Sequence, residues 1–267
     1  MIDNLIKDIY RTLETKDFQG DLDLIALDLG KEVEEALKNH FRPVEDTRKL
    51  RLSQIGKCTR SQWYDYHGYE KAKFEPKLWI TFLQGHIMEA LLKSLIKLSG
   101  HTLEDEQKNH WVESIRGSQD ATIDGELVDI KTASQFSFGK FRKDGIKDDP
   151  FGYVQQLSAY GLDKEKEHGY FLALNKNNGE LALTKQKLNQ DVAKDVRDLK
   201  IAMDTGVPER IEGATTKNKI GEKLNVTCGF CGHRDTCFPN LTPIKAGKFQ
   251  NYYISARMPG DETDGNF

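Results

Sequence analysis

The chain has 267 residues, a formal net charge of -3, 37% hydrophobic and 30% charged residues, and four cysteines. It is long enough to bury a sizeable core, and its mild acidity means that any polyanion has to be held by a local basic surface or by bound cations. No window approaches 18 consecutive apolar residues, and Met1-Ile2-Asp3-Asn4 lacks the basic and apolar parts of a signal peptide. With so few, unevenly spread cysteines, the expectation is a cytoplasmic protein with no membrane partner.

Taken in chain order, residues 1–40 read as two helices separated at Gly20, with Gly30 bending or interrupting the second. Ser53 is placed to cap a short helix leading to Cys58, and a further helical piece carries Trp63, Tyr64 and Tyr66. A stronger helix spans about Leu78 to Leu98 and stops at Gly100, after which residues 101–131 take strand character. The stretch 135–149 reads as a loop or lid, followed by a helix over about 151–162 behind Pro150. Tyr170–Leu174 and Leu181–Thr184 read as strands joined through Asn177-Asn178-Gly179, and a helix follows at about 186–204. The last 15 residues are polar and rich in Gly and Asp, and read as loosely held.

The most informative segment is Gln119-Asp120-Ala121-Thr122-Ile123-Asp124-Gly125-Glu126-Leu127-Val128-Asp129-Ile130-Lys131. Asp-Gly between β-branched runs is a strong two-residue hairpin signal. With Asp124-Gly125 as the loop, Ile123 pairs with Glu126, and counting back sets Asp120 opposite Asp129. Cross-strand partners lie about 4.5–5.5 Å apart at Cβ, so two carboxylates converge and invite a cation. Period-two alternation adds Lys131 to the face of Asp129.

On the 78–98 helix, His86 and Glu89 share a face at i,i+3, with Gly85 allowing close approach of a strand. If that helix crosses the hairpin, Asp120 and Asp129 supply hard oxygen ligands and His86 a nitrogen, while Glu89 accepts from a bound water or completes a second ion site. Lys131 then orients or activates water, or stabilises charge on phosphate. Gln156 and Tyr160 share a face at i,i+4 and are placed to reach a phosphate or Lys131. Lys140, Arg142, Lys143 and Lys147, interleaved with Phe136, Phe138 and Phe141, suit phosphate contacts and base stacking on a single strand.

In this order the motifs resemble the PD-(D/E)xK nuclease superfamily and, within it, the RecB-like nucleases. His86 with Glu89 is similar to the helical His motif, Gly117-Ser118-Gln119-Asp120 to the Gly-x-x-Asp segment, Asp129-Ile130-Lys131 to the acidic-x-Lys motif, and Gln156 to Tyr160 to the Gln-x-x-x-Tyr motif. The resemblance covers roughly residues 50–240. It implies an α/β fold: a restriction-endonuclease-like core with a mixed central sheet, flanking helices and a helical N-terminal elaboration. The expected division is 1–50 for that elaboration, 51–240 for the nuclease core and 241–267 for a C-terminal extension. The implied chemistry is phosphodiester hydrolysis with two Mg²⁺ or Mn²⁺ ions held by His86, Asp120, Asp129 and the carbonyl of Ile130.

Cys228, Cys231 and Cys237 fall within ten residues, and Cys58 is the other cysteine. Four thiolates suit a structural Zn²⁺ or an iron–sulfur cluster, and His233 leaves a local Cys3His zinc site open. One cysteine ahead of the His motif and a C-terminal Cys-x-x-Cys-x5-Cys resemble the iron–sulfur subset of RecB-like nucleases, which includes AddB and CRISPR-associated adaptation nucleases. By that resemblance Cys58, Cys228, Cys231 and Cys237 hold a [4Fe–4S] cluster, with Zn²⁺ the alternative, and Arg60 matches a Cys-x-Arg start. The expected function is a DNA exonuclease acting from an end in phage or host recombination and repair. The alternatives are a CRISPR-adaptation nuclease that trims DNA before integration and a non-catalytic, metal-stabilised DNA-binding module. Recombination or CRISPR-adaptation proteins and a second copy of the chain stay open as partners.

Overall fold

The computed structural model describes residues 1–42, 48–73, 76–147, 149–246 and 249–256. In chain order its elements are α1 (Leu5–Thr15), α2 (Leu22–Phe41), α3 (Thr59–Tyr66), α4 (Pro76–Leu98), β1 (Leu103–Glu104), β2 (Asn109–Val112), β3 (Ile115–Ser118), β4 (Ala121–Ile123) and β5 (Glu126–Ala133). There follow α5 (Gln135–Phe138), α6 (Tyr153–Gly161), β6 (His168–Asn175), β7 (Leu181–Lys187), α7 (Val192–Met203), β8 (Thr215–Lys217), β9 (Gly221–Leu224), α8 (Val226–Gly229), α9 (Arg234–Cys237), β10 (Thr242–Ala246) and β11 (Phe249–Ala256). The chain divides into two compact units, Met1–Asp46 with Leu50–Gly56 and Glu75–Lys200, and Thr47–Lys49 with Lys57–Phe74 and Ile201–Phe267.

The first unit is an α/β fold with a mixed central sheet, flanked by helices that include the N-terminal ones. Its sheet runs β1-β4-β5-β6-β7, with β5 and β6 parallel and the other neighbours antiparallel. Val128 and Ile130 of β5 join Tyr170 and Leu172 of β6 in one apolar layer, filled by Ile2, Leu5 and Ile9 and by Leu92 and Ile96 of α4. Each such aliphatic side chain contributes about 1.5–3 kcal/mol when fully buried. Asp129, Lys131 and Phe171 have the opposite parity and face the other side, where the Phe141 and Tyr153 rings meet Phe171. The hairpin forms as its sequence requires: Ile123 pairs with Glu126, and Asp124 and Gly125 both have positive φ, +50° and +80°, as a type I′ turn needs. The second unit carries an antiparallel sheet, β10-β11-β9-β8, whose apolar contacts centre on Ala214, Leu224, Cys228 and Phe238.

Several expectations are corrected. Gly30 does not interrupt α2, which is continuous from Leu22 to Phe41; an isolated helical glycine costs only about 1 kcal/mol relative to alanine. Ser53 lies inside a 3₁₀ turn, Leu52–Gln54, and caps nothing, whereas Cys58 occupies the N-cap position of α3. The helix expected from about 186 begins at Val192, because residues 181–187 continue the β6 pairing and alternate, with Thr184 and Gln186 buried between exposed lysines. Strands β8 to β11 were not anticipated, and of the C-terminal 15 residues those to Ala256 lie in β11 while 257–267 lie outside the described residues.

Residues 135–149 are not an open lid. Apart from Asp148, which lies outside the described residues, they form α5, a 3₁₀ turn and a return segment anchored by Phe138, Phe141 and Ile146, all buried. Thr184 donates to the Phe141 carbonyl, and the Ile146 amide donates to Gln186 Oε1 at 2.7 Å.

Gly117 shows why one motif glycine is required. A Cβ there would stand 2.5 Å from Leu52 Cβ and 2.7 Å from Tyr160 Cε1, so strand and helix meet only because the side chain is missing. Gly117→Ala is therefore expected to lower the unfolding free energy by about 1–3 kcal/mol, read from urea denaturation. An unchanged midpoint would contradict this packing.

Candidate functional site

The β4–β5 ladder ends at Ala121 and Val128, and the next amide of β5 is taken over by a side chain. Asp120 Oδ2 accepts from the Ile130 amide at 2.8 Å. In a strand the N–H and C=O of one residue point to the same side, so the Ile130 carbonyl faces the Asp120 edge. One residue on, Lys131 Nζ donates to Asp129 Oδ1 at 2.8 Å and stands 2.7 Å from Oδ2. That second oxygen is buried and accepts no hydrogen bond, although it lies within ion-pair distance of the ammonium. The Asp129 side chain is 1% exposed and that of Lys131 19%.

Glu89 belongs to this group electrostatically. Burial, and then the charge of Asp120, push its carboxyl up to about 7, against the opposing pull of Lys93 and Lys131. Burial likewise raises Asp129 to about 7, with Lys131 opposing and Asp120 reinforcing the shift. Burial works against the Lys131 ammonium, but the charges of Asp129 and Asp120 outweigh it and hold its pKa above the ordinary lysine value. Gln156 Nε2 donates to Tyr160 Oη at 3.4 Å. Tyr160 is buried; that burial, with Asp129 and Asp120 nearby, raises its phenol to about 12. Asp120, Asp129, Lys131, Glu89, Gln156 and Tyr160 thus form one neighbourhood.

Other expected residues stand differently. His86 is exposed one turn before Glu89 and makes no hydrogen bond or ion pair with another described residue. Gly85 does allow close approach: its Cβ position lies 3.4 Å from Thr132 Oγ1 on β5. In the basic segment Arg142 is paired with Glu180 and lies over the Phe138 ring. Phe138 and Phe141 are buried and unavailable for base stacking, which corrects the interleaved-aromatic expectation; Phe136 is 92% exposed. Lys143 and Lys147 are exposed, and Lys140 is half-buried.

Two residues were missed. Lys93 has a 5% exposed side chain and reaches Glu32 at 3.1 Å, Glu89 at 3.4 Å and Glu106 at 3.6 Å. Its i,i+4 spacing from Glu89 was the available signal. Tyr153 presents its ring 5.3 Å from Lys131 Nζ, one turn ahead of Gln156 on α6.

Among the described residues no group of three or more His, Cys, Asp or Glu side chains stands at metal-ligating distance. Each acid has its own counterpart: Asp120 the Ile130 amide, Asp129 the Lys131 ammonium, Glu89 the Lys93 ammonium. The donor chemistry nonetheless fits a hard divalent cation, since Asp129 Oδ2 has the Lys131 ion pair but no hydrogen bond and burial disfavours Asp129 and Glu89 as anions.

In the second unit all four thiols are free. Burial, then the mutual charge of the other three cysteines, raises Cys228 to about 12. Cys58 is also raised by burial and by Cys231 and Cys237, although the Ser61 and Arg60 amides at the start of α3 favour its thiolate. Two thiols, Cys58 and Cys228, disfavoured as thiolates beside Cys231 and Cys237, fit a cation that would displace their protons. Beside them His233 is 1% exposed, with Nε2 2.8 Å from Asp65 Oδ1 and Nδ1 buried without a hydrogen-bond partner. Arg60 donates to Tyr64 Oη at 3.1 Å and to the Pro208 carbonyl at 2.6 Å.

No protein-family model and no curated protein matches the chain. The solved structure of SSO0001 matches 84% of this chain and 100% of its own, at 17% identity and a TM-score of 0.43. No helix among the described residues is long and apolar enough to cross a membrane.

Lys93 is expected to be the main support of Glu89. Lys93→Met leaves three carboxylates around an apolar side chain and should lower unfolding free energy by about 3 kcal/mol, as breaking buried pairs does. Lys93→Arg, which keeps the charge, should lose much less. Equal urea midpoints for Lys93→Met and wild type would contradict this role.

Proposed function

We propose that the chain is a metal-dependent deoxyribonuclease of the PD-(D/E)xK kind, related to the RecB-like nucleases and acting on DNA with a free end. The observation that supports it most is the meeting of Asp120, Asp129, Lys131 and Glu89 at the end of the β4–β5 ladder. Asp120, Asp129 and the Ile130 carbonyl would hold a divalent ion, with Glu89 and His86 at its outer side; such an ion supplies Lewis-acid stabilisation of the phosphodiester as water attacks. Lys131, whose ammonium the charges of Asp129 and Asp120 favour, would supply a charge and a hydrogen-bond donor to a phosphate oxygen. Tyr160, whose burial favours the neutral phenol, would with Gln156 orient the substrate or the lysine from α6. Exposed Lys143 and Lys147 are available for backbone contacts beyond the site.

For the cysteines we propose a structural [4Fe–4S] cluster on Cys58, Cys228, Cys231 and Cys237, closing the second unit around α3. A Cys3His zinc site has one observation in its favour. Metal-bound imidazoles usually donate their other N–H to a carboxylate, and His233 stands so against Asp65 with Nδ1 unpartnered.

Asp129→Ala and the isosteric Asp129→Asn should each lower Mn²⁺-dependent DNA hydrolysis at least about 100-fold while leaving a folded protein, as judged by circular dichroism. Near-wild-type turnover by either folded variant would overturn the catalytic assignment.

Anaerobically purified protein should be brown, with broad absorption near about 400 nm and matching iron and acid-labile sulfide. Cys58→Ser should lose most of that content. Stoichiometric zinc without iron, with metal retained in Cys58→Ser and lost in His233→Ala, would reverse the assignment.

A further inference from the structure

Trp79 and Phe82 precede Glu89 on α4 by ten and seven residues, and with His86 the series 79, 82, 86, 89 follows one face of the helix. Both rings are 44% exposed, unlike Trp63 at 8%, and they meet edge to face with centroids 5.9 Å apart. His40 of α2 packs edge-on against Trp79 at 5.6 Å. The rings are therefore held in place before any ligand arrives, which lowers the ordering cost of binding. At 1.5 Å per residue Trp79 lies about 15 Å and Phe82 about 10 Å along the axis from Glu89. From Pro76 through Met88 the helix carries no carboxylate and one cationic side chain, Lys77, in a chain with 42 acidic residues. A polyanion following this face meets no carboxylate of α4 itself before Glu89, where cation binding is proposed.

From this placement we propose that the outer face of α4 is a stacking track for unpaired bases, with Trp79 and Phe82 as the substrate-positioning residues that lead a single strand to the site. The inference rests on the nuclease reading for the destination of the strand, but the track itself requires only nucleic-acid binding. Aromatic faces accept any base, so the track would be tolerant of sequence, and a duplex could not use it because its base faces are covered by their neighbours. Apolar side chains at Ile80 and Phe41, 72% and 76% exposed, extend the same region and would exclude water from stacked bases.

The test measures binding of the full chain, without divalent ions so that no strand is cut, to a fluorescent oligothymidylate and to the same strand with an abasic stretch. Wild type should bind the base-bearing strand at least about ten-fold more tightly, given the usual strength of base–aromatic stacking. Trp79→Ala/Phe82→Ala should lose that preference, whereas Trp79→Phe/Phe82→Tyr should keep most of it. Oligothymidylate should also quench tryptophan emission in wild type and much less in Trp79→Phe, a readout that survives if the double alanine variant does not fold. Preference that persists in a folded double alanine variant would overturn the track while leaving the nuclease reading intact. So would a change of oligomeric state with unchanged preference, which would mark the face as a contact between copies. Absence of binding by wild type to any DNA would overturn both.

Discussion

The site is organised around a charge that the fold cannot leave alone. Asp129 sits in the middle strand of the first unit's sheet with its side chain 1% exposed, where an isolated carboxylate would cost several kcal/mol. Lys131, two residues along the same strand and on the same face, offsets that cost within the strand itself. Around this pair the neighbouring groups are satisfied one by one: the Ile130 amide by Asp120, Glu89 by Lys93, and Lys93 in turn by Glu32 of α2 and by Glu106. α2, which buries no side chain fully, therefore contributes to the site through a charge. The result is a set of carboxylates balanced by ammonium groups near the ordinary limit of tolerance, with two of them pushed up to about 7.

What was legible in the sequence was what local rules control. Asp124-Gly125 fixed a turn that only two positive φ values satisfy, and the turn in turn placed Asp120 beside the Asp129–Ile130 stretch. The long helix ending before Gly100 and the strand pair joined at Gly179 followed from periodicity and turn chemistry in the same way. The failures lie where tertiary packing decides. The 135–149 stretch has a loop's composition, yet Phe138, Phe141 and Ile146 find apolar surroundings and fold it down. Lysines alternating with Thr184 and Gln186 hid the end of β7, because the β6 ladder supplies what a helical reading could not weigh. Lys93 was visible only as an ordinary surface spacing, since nothing local shows that three acids from separate segments converge on it.

The second unit follows a different logic. Its apolar cluster is small, gathered on Ala214, Leu224, Cys228 and Phe238, and its segments come from distant parts of the chain, 57–74 and 201–267. Small cores of this kind gain much from a metal staple, because binding free energy becomes folding free energy. The free thiols and the unpartnered nitrogen of His233 are the places where that energy would enter. Loss of the proposed cluster would act on folding of this unit, separately from the proposed carboxylate chemistry of the first.

The central claim, that carboxylates balanced by Lys131 and Lys93 form a metal-dependent nuclease site acting on DNA ends, is tested most directly by one digestion. Anaerobically purified protein is incubated with end-labelled linear DNA and with covalently closed DNA, each with Mg²⁺, Mn²⁺ or chelator. The account predicts progressive loss of the linear molecule with either ion, persistence of the closed one, and no loss in chelator. Survival of linear DNA under every condition, or digestion that proceeds equally in chelator, would contradict it.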